Sequence, residues 1–480
     1  MRFLKSWWRT PALSGLLFFC LAVAVSENAS RPWWYSDSDP DPLPTARAVA
    51  DRELFGRVIS DGEARPEIEL HHNLEWLDST LMSGVAALYD RAEERGEPAA
   101  RYLEYVKAWG AQWPGGYPIK VFHGDRVCAG HTFLWLYEKS GRRSDHLSET
   151  DGMIDFVFLG RKFTQYQYGY TDYWMRFWND DLHMVPPFLA RRGRIVGSKG
   201  IPGGKDGRDI AMHYCRAYSE VLEDPATGLY WHDPRAIGDY QWGRGNGWVA
   251  AGYTKIYKEL AGDPEYAQDR DWLAGKLRRM AATLKKNRNV VGTWNADILD
   301  RETYVMPETS GSGFFVYMMA AMINRGELSR EYVPVVQKAW HFLRLSVTRE
   351  GSLLRVQPVG RGPVKRDFET NSESYGVGGF LLAAAEVSGM DREVWEQAAE
   401  AECIKLGADE LELEDGHAMV PLSFLRAKAE DFPEDARGKV QAVVAGARLP
   451  ETLVEGDKVV IKGLPASETD SVYIFYRLFD

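Results

Sequence analysis

From about Asp78 onward, stretches with apolar residues at helical spacing alternate with breaks rich in Gly, Pro and Asp. Apolar residues three and four positions apart fall on one face of a helix, so each stretch predicts an amphipathic helix. Their lengths are those of ordinary globular helices. The predicted helices, about twelve, are 81–94, 99–109, 127–137, 150–161, 180–191, 208–222, 248–260, 271–286, 313–324, 332–347, 377–386 and 392–405.

About twelve helices within residues 76–406 correspond to six helical hairpins, and each hairpin must bury one face of both helices. A closed ring of hairpins buries those faces without leaving an end. The predicted fold is therefore all-α, an (α/α)6 barrel. An open solenoid is the alternative, although the chain shows no strict repeat. In a closed ring the aromatic-rich connections 110–124 and 230–247 would meet in one funnel.

The two flanks of the predicted barrel have a different character. Residues 27–75 are mostly polar and predict an exposed lead-in. Residues 407–480 form a C-terminal extension. In it, segments 440–445, 458–462 and 471–476 carry β-branched and aromatic residues between turns, which predicts a small β unit over one end of the barrel.

The N-terminus has the pattern of a secretory signal. Arg2, Lys5 and Arg9 precede an apolar run, 11–25, that is short for a membrane span, and small residues follow at 24–26. Residues 1–26 therefore predict a cleaved signal peptide, no stable membrane anchor after cleavage, and a periplasmic or secreted protein. An uncleaved anchor helix is the alternative.

Composition narrows the choice of partners. The formal net charge is -11, which disfavours a nucleic-acid partner. The 17 Trp, 23 Tyr and 20 Phe provide flat surfaces of the kind on which sugars stack, although most must be core. Beyond the signal, Cys128, Cys215 and Cys403 are too sparse for a disulfide framework, and no Cys or His pair has metal-ligand spacing.

The first candidate for chemistry is W-N-D-D-L-H-M, residues 178–184, with adjacent carboxyls at Asp180 and Asp181. Either aspartate is also a candidate helix N-cap. Trp178 would exclude water from a neighbouring carboxyl, which favours the neutral form that a general acid needs. Asp125, ahead of a predicted helix, is the best candidate for a second carboxylate, although it could also be a cap.

A second group of motifs, G-L-Y-W-H with His232 and W-G-R-G-N-G-W at 242–248, suggests sugar binding. Glycine costs helix stability, so we expect a loop that passes close to a ligand and leaves Arg244 exposed. A guanidinium beside an indole suits a sugar that carries a carboxylate. An ordinary Gly-rich turn with a structural salt bridge is the alternative.

Together with P-E-T-S-G-S-G at 307–313 and S-Y-G-V-G-G-F at 374–380, these motifs resemble glycoside hydrolase family 105 in order and spacing. That family comprises the unsaturated rhamnogalacturonyl hydrolases and is related to the unsaturated glucuronyl hydrolases of family 88. The resemblance covers about residues 116–387. It implies an (α/α)6 barrel, in agreement with the helix count.

The resemblance also implies an activity. Enzymes of this kind remove the 4,5-unsaturated uronic acid that polysaccharide lyases leave at the non-reducing end of an oligosaccharide. They protonate C4, add water at C5, and let the resulting hemiketal fall apart. No metal or cofactor is implied.

By the same resemblance, Asp180 is the catalytic acid and base and Asp125 the second active-site aspartate, in looser surroundings. Asp181 is interpreted as a cap. Gly243 stands where the family usually has Ala. The residues expected to bind the substrate are Trp178, His232, Trp242, Arg244 and Trp248.

Two other functions remain open from the sequence. A polysaccharide lyase or sugar epimerase on the same barrel would need a tyrosine or histidine base. The candidate tyrosines are Tyr166, Tyr168, Tyr170, Tyr173 and Tyr375. A glycan-binding protein without catalysis would be expected to lack Asp180. The sequence does not fix the leaving sugar, which could be rhamnose, a sulfated rhamnose or an amino sugar.

Overall fold

The structure is a computed structural model that describes residues 41–59, 70–113, 124–141, 144–158, 177–201, 203–397, 403–414, 417–429, 431–464 and 471–477. The predicted signal, 1–26, and the four tyrosines between positions 166 and 173 lie outside these ranges. Within them, every helix is too short or too polar to cross a membrane.

The described chain is predominantly helical. The helices are α1 Leu43–Phe55, α2 Trp76–Glu94, α3 Ala100–Gly110, α4 Ala129–Lys139, α5 Ser144–Glu149, α6 Asp151–Phe158, α7 Asp181–Met184, α8 Pro186–Val196, α9 Gly207–Leu222, α10 Gly243–Glu259, α11 Ala267–Lys286, α12 Thr309–Asn324, α13 Val333–Leu345, α14 Ser374–Val387, α15 Arg392–Gln397 and α16 Leu422–Lys428.

Six of these helices form a closed inner ring. In order around the ring they are α2, α4, α8, α10, α12 and α14, and α14 packs back against α2. Outside them lie α3, α6, α9, α11, α13 and α1, each beside one or two inner helices. One continuous apolar core joins the two layers. The predicted (α/α)6 barrel is therefore confirmed.

The twelfth barrel helix differs from the expected one. Residues 27–75 were expected to be an exposed lead-in, but the described part contains α1, which packs against α14 and α2. Leu43, Ala46, Val49, Ala50 and Leu54 recur at helical spacing and are almost completely buried. The expectation was wrong because polar neighbours in sequence masked this narrow apolar face.

The predicted helix 180–191 is two helices, α7 and α8, that meet at Val185. Pro186 and Pro187 follow directly. Proline has no N–H to donate and disfavours helical backbone in the residue before it, so the first helix stops after one turn.

Helix α10 begins at Gly243, five residues before the predicted start, so the glycines lie inside its first turns. A Cβ on Gly243 would lie 2.7 Å from the Asn295 carbonyl oxygen, and one on Gly247 would lie 3.1 Å from the Gly311 Cα. Close packing against neighbouring backbone therefore explains these glycines, rather than the approach of a ligand.

The strands are few inside the barrel and dominate the C-terminal unit. They are β1 Trp294–Asn295, β2 Pro307–Glu308, β3 Cys403–Gly407, β4 Glu412–Glu414, β5 His417–Pro421, β6 Val440–Val443, β7 Glu451–Glu455, β8 Lys458–Lys462 and β9 Ser471–Tyr476. After the β1–β2 hairpin, the strands form two antiparallel sheets, ordered β3-β9-β6 and β4-β5-β8-β7.

The predicted helix 392–405 was wrong in its second half. Helix α15 ends at Gln397, and Cys403 begins β3. Ile404 and Leu406 are buried while Lys405 is exposed, which is the alternation of a strand.

The β unit has its own apolar core and docks against the barrel along α13. Phe342 and Leu345 of α13 pack against Val443, Tyr473 and Phe475 of the sheet. The predicted β extension is thus present.

Candidate active site

Asp180 and Asp181 lie at the start of α7 but have different surroundings. Asp180 occupies the N-cap position without a side-chain capping bond, and its side chain is 18% exposed. Asp181 is buried in the first turn and accepts a 2.8 Å hydrogen bond from the Tyr218 hydroxyl. The interpretation of Asp181 as a cap was therefore wrong, although the residue does have a structural contact.

His232 lies against Asp180. Its Nδ1 is 3.1 Å from Asp180 Oδ2 and 3.3 Å from Asn179 Oδ1. The backbone N–H of Asn179 donates to the His232 carbonyl oxygen at 2.9 Å, so the two segments are fixed side by side. A protonated nitrogen in this position can donate to the carboxyl oxygen and to the amide oxygen. An unprotonated one can accept a proton from the neutral carboxyl.

Two indoles enclose this imidazole. The Trp178 ring stacks on His232 with 5.6 Å between centroids, and Trp242 meets the imidazole edge-on at 5.0 Å. The Trp242 indole N–H donates to Gln357 Oε1 at 3.3 Å. Asp180, His232, Trp178 and Trp242, predicted from separate motifs, are therefore brought together.

Arg244 is buried, so the expectation that the glycines leave it exposed was wrong; only 1% of it is accessible. Its guanidinium packs on the rings of Trp242 and Tyr375 at 4.7 and 4.9 Å. Its Nη1 donates to the Gln357 carbonyl oxygen at 2.6 Å and to the Tyr375 hydroxyl at 3.0 Å. Arg244 thus holds the segment that begins at Gln357 next to Trp242.

Trp248 lies deeper than the other predicted residues. It is almost completely buried and contacts the rings of Phe314 and His183, at 4.5 and 4.8 Å, in an aromatic cluster beneath the site. The predicted contact of Trp248 with the substrate stays a prediction.

Asp125 lies in a single 3-10 turn, Gly124–Arg126, that packs against α7. A Cβ on Gly124 would lie 3.2 Å from Asp181 Oδ1, so the turn approaches the pair of aspartates from the Asp181 side. Its role as a second catalytic carboxylate stays a prediction.

Two residues that the sequence reasoning missed lie at the rim. The Arg361 guanidinium carbon is 5.9 Å from the Trp178 ring, and the Tyr240 hydroxyl donates to the Arg361 carbonyl oxygen at 3.2 Å. Both line a cleft of about 560 Å³. Burial, together with Asp233, Asp239 and Asp180, raises the pKa of Tyr240 to about 12, so its hydroxyl stays protonated. The signal for Arg361 was the basic, Gly-rich segment 360–366.

Where the chain is described, no three His, Cys, Asp or Glu side chains lie close enough together to hold a metal ion. The site thus offers a carboxyl, an imidazole and aromatic faces. These groups can transfer protons and stack on a sugar ring.

Comparison with known proteins identifies the family. The model for Glycosyl Hydrolase Family 88 matches residues 54–390, well over half of the chain. The chain belongs to glycosyl hydrolase family 88. The family 88 segment includes Asp180, His232 and both indoles.

The sequence relatives of this family 88 protein agree with that assignment. It is 28% identical over 291 residues to an unsaturated 3S-rhamnoglycuronyl hydrolase of Alteromonas sp. (strain LOR), covering 56% of this chain and 67% of that one. It is 25% identical over 325 residues to the unsaturated rhamnogalacturonyl hydrolase YesR of Bacillus subtilis (strain 168), covering 65% and 87%. The predictions of a glycosidase and of an unsaturated uronyl hydrolase are confirmed at the level of the family.

Solved structures share the fold. A family 88 glycosyl hydrolase from Bacteroides vulgatus matches with a TM-score of 0.58 at 22% identity, covering 72% of this chain and 98% of that one. A protein described as a polysaccharide lyase matches with a TM-score of 0.59 at 24% identity, covering 72% and 96%. At these identities the likeness shows the barrel alone.

Of the five candidate tyrosine bases for a lyase, Tyr375 is the one within the described residues, and its surroundings make it unsuited to act as a base. Tyr375 is fully buried and donates to the Gln357 carbonyl oxygen. Burial raises the pKa of Tyr375 even though the Arg244 guanidinium lies against it. A phenol in this environment stays protonated and cannot take a proton from a sugar carbon.

Proposed function

We propose that the protein removes a 4,5-unsaturated uronic acid from the non-reducing end of lyase-generated oligosaccharides, with Asp180 as the proton donor. The observation that carries this proposal is the contact between Asp180 Oδ2 and His232 Nδ1 beside the face of Trp178. It provides a partly exposed carboxyl, a proton-carrying neighbour and an aromatic platform for the sugar.

The chemistry suits a single carboxyl. The C4=C5 bond of the substrate is an enol ether, so a proton delivered to C4 by Asp180 leaves an oxocarbenium-like cation at C5. The resulting carboxylate then accepts a proton from the water that adds at C5, and the hemiketal opens to release the sugar. Because the glycosidic bond is not attacked directly, the carboxyl separation that distinguishes retaining from inverting glycosidases does not apply.

His232 acts on the protonation of Asp180 rather than on the sugar. Only 3% of His232 is exposed, and its Nδ1 faces the carboxyl. When Asp180 is ionised, the Nδ1 proton stabilises the carboxylate; when Asp180 is neutral, Nδ1 can accept from it.

The sugar carboxylate needs a cation, and Arg361 is better placed for this role than Arg244. Arg361 is exposed beside the face of Trp178, whereas the Arg244 guanidinium is buried and donates to backbone oxygen atoms of 357 and 358. A guanidinium next to an indole can pair with a carboxylate while the ring stacks on the sugar. In this proposal Arg244 positions the segment that carries Arg361.

The leaving sugar is proposed to be a rhamnose. Both relatives described above have rhamnose in the name of their substrate, and one of these names carries the prefix 3S. Fragments of pectin and of ulvan would distinguish an unsulfated rhamnose from a sulfated one, and glycosaminoglycan fragments would test an amino sugar.

The test follows the ultraviolet absorbance of the unsaturated uronyl group, which hydration destroys. Purified protein is expected to remove the absorbance of at least one rhamnose-linked fragment type. Asp180→Asn is expected to lower kcat by a factor of about 10²–10⁴. The matched control is Asp181→Asn, which keeps an oxygen for the Tyr218 hydroxyl and is expected to retain most of the activity.

Several outcomes would contradict the proposal. Unchanged absorbance with pectin, ulvan and glycosaminoglycan fragments would reject the function. Rising absorbance on the intact polysaccharides would show a lyase instead. A fully active Asp180→Asn would leave the function in place and reject the role of Asp180.

We also propose that the protein is exported. Support comes from the basic, apolar and small residues of 1–26 alone. Secreted or periplasmic protein whose N-terminus begins shortly after Ser26 is the expected result, and protein that keeps Met1 in the cytoplasm would contradict it.

A further inference from the structure

A second polar cavity lies at the opposite end of the barrel from Asp180. Helix α10 starts beside the candidate active site at Gly243 and ends at Glu259, which lines this cavity together with Lys255. The cavity measures about 400 Å³, and all six inner helices or the residues that follow them contribute to its wall. It is therefore on the barrel axis and separate from the site described above.

The cavity wall carries four carboxylates and six basic side chains, and Glu138, which is not part of the wall, pairs with Arg191 and Arg194. Its carboxylates are Asp90, Glu94, Glu259 and Glu386. Its arginine and lysine side chains are Arg91, Arg191, Arg194, Lys255, Lys258 and Arg325. Ion pairs join Glu259 to Arg194 at 2.5 Å and Glu386 to Lys258 at 2.7 Å.

Lys255 differs from the other cations. It is 4% exposed, and its Nζ donates to Ser83 Oγ at 2.8 Å. Among the described residues no carboxylate lies within ion-pair distance of this ammonium, which has two further protons to donate. Burial lowers the pKa of Lys255 to about 8, so the group is still mostly charged at neutral pH.

A second donor faces the same space. Thr132 lines the cavity and is completely buried, and its hydroxyl has no hydrogen-bond partner among the described residues. A buried ammonium without a counter-charge and a buried hydroxyl without a hydrogen-bond partner are each costly. Both costs fall if an acceptor occupies the cavity.

The dipoles of the inner helices account for only some of the basic side chains in the cavity wall. Cations are favourable near helix C-termini, which explains Arg194 on α8 and Lys258 on α10 near the cavity mouth. Lys255 lies about one turn before Glu259 on the same helix, is almost completely buried, and makes no ion pair among the described residues.

We propose that this axial cavity binds a small oxyanion, such as sulfate or phosphate, which accepts hydrogen bonds from Lys255 and Thr132. A buried ammonium without a counter-charge and a buried hydroxyl on the wall of the same cavity match a group with several acceptor oxygens. The anion links α10 to α4 and stabilises the ring, because a ligand that binds only the folded state raises its melting temperature.

The test measures melting temperature against sodium sulfate, phosphate and chloride at matched ionic strength. Sulfate or phosphate is expected to raise the melting temperature saturably in the wild type. The rise is expected to persist in Lys286→Met, which removes an exposed lysine of α11, and to vanish in Lys255→Met. In the absence of oxyanion, Lys255→Met is expected to melt no lower than the wild type, because it removes an uncompensated buried charge.

Crystallography provides a readout that does not depend on the variant folding. A crystal grown without sulfate and soaked in selenate is expected to show an anomalous peak next to Lys255 Nζ. The proposal is overturned if the peak is absent, if chloride and the oxyanions act alike at equal ionic strength, or if Lys255→Met keeps the wild-type response. Thr132→Val is expected to raise the half-saturating concentration several-fold, and an unchanged value would remove Thr132 from the site.

Discussion

Adjacent residues acquire different chemistry in this protein because one turn of helix directs them to different neighbours. Asp180 faces His232 and remains partly exposed, while Asp181 turns to Tyr218 in the core. The spacing of W-x-D within the family motif was enough to choose Asp180 over Asp181 as the candidate catalytic acid. The burial of Arg244 could not be predicted, since the carbonyl oxygen that it binds belongs to Gln357, far away in sequence.

The first prediction concerns the partner of the proposed acid. His232→Ala removes the imidazole next to Asp180 Oδ2 and the ring stacked on Trp178. If His232 assists proton transfer, kcat is expected to fall by a factor of about 10²–10⁴, and the pH profile of kcat is expected to shift.

The control is His213→Ala, an exposed histidine of α9 that is expected to leave both kcat and its pH profile unchanged. A rise in KM alone for His232→Ala, with kcat and pH profile kept, would show that the residue only contributes to binding.

At the scale of elements, Glu386 joins three inner helices. It lies near the end of α14 and accepts from Lys258 of α10 at 2.7 Å and from Asn324 of α12 at 3.1 Å. Burial alone would raise the pKa of Glu386, but the cations Lys258 and Arg325 outweigh it and lower the pKa to about 2.

This lowered pKa predicts the direction of acid sensitivity. The unfolded chain takes up the Glu386 proton near pH 4.5 and the folded chain only near pH 2, so the contribution to stability is complete above 4.5 and is lost as the pH falls towards 2. Glu386→Gln is expected to cost about 2 kcal/mol at pH 7, because Lys258 and Arg325, which are only partly buried, lose the buried carboxylate that pairs with them.

Denaturant unfolding at pH 7 and at pH 3 measures both effects. The difference between wild type and Glu386→Gln should narrow at the lower pH. Glu331→Gln, at an exposed position, is the matched control and should change stability little at either pH. A gap that widens on acidification would contradict the assignment.

The individual helices were largely predictable because an apolar stripe is a local signal. The errors in predicting helices occur where a tertiary contact or a single residue type decides where a helix begins, ends or packs. Helix α1 has a narrow apolar face, Pro186 divides α7 from α8, and the glycines of α10 are accepted because Gly311 of α12 approaches closely.

For the whole molecule, the junction of the barrel and the β unit contains a histidine. His341 of α13 packs between the rings of Tyr473 and Phe475, at 5.3 and 5.4 Å. Burial, and then the nearby cations Arg344 and Lys405, lower the pKa of His341 to about 3. The imidazole is therefore neutral in the docked state.

The pKa of a histidine in the unfolded chain is 6.5, so the neutral His341 contributes fully to docking above pH 6.5. This contribution is lost as the pH falls from 6.5 towards 3, because the unfolded chain then binds the proton more readily than the docked one. Amide exchange, corrected for intrinsic rates, is expected to be faster in α13 and β9 at pH 5 than at pH 7, with α3 as the internal reference. His341→Phe should reduce that pH dependence, and equal acceleration in α3 would contradict a local cause.

The ring as a whole could be inferred from the need to bury both faces of about twelve helices. The β unit could be inferred only in part. Strands β6, β8 and β9 have strong apolar signals, whereas β4 and β7 are short or exposed and are defined by the partners with which they pair.

The position of α1 affects the order in which the ring folds. Every other outer helix lies next in sequence to, or near, an inner helix that it covers, but α1 must wait for α14, which is made near the end of the barrel segment. This contact of long sequence separation places ring closure late in folding and raises the entropic barrier to it. A chain emerging from the ribosome therefore exposes the apolar faces of α1 and α2 for most of its synthesis. A circular permutant with α1 joined after α14 would remove the long sequence separation between these two helices, while α2 would still close the ring against α14.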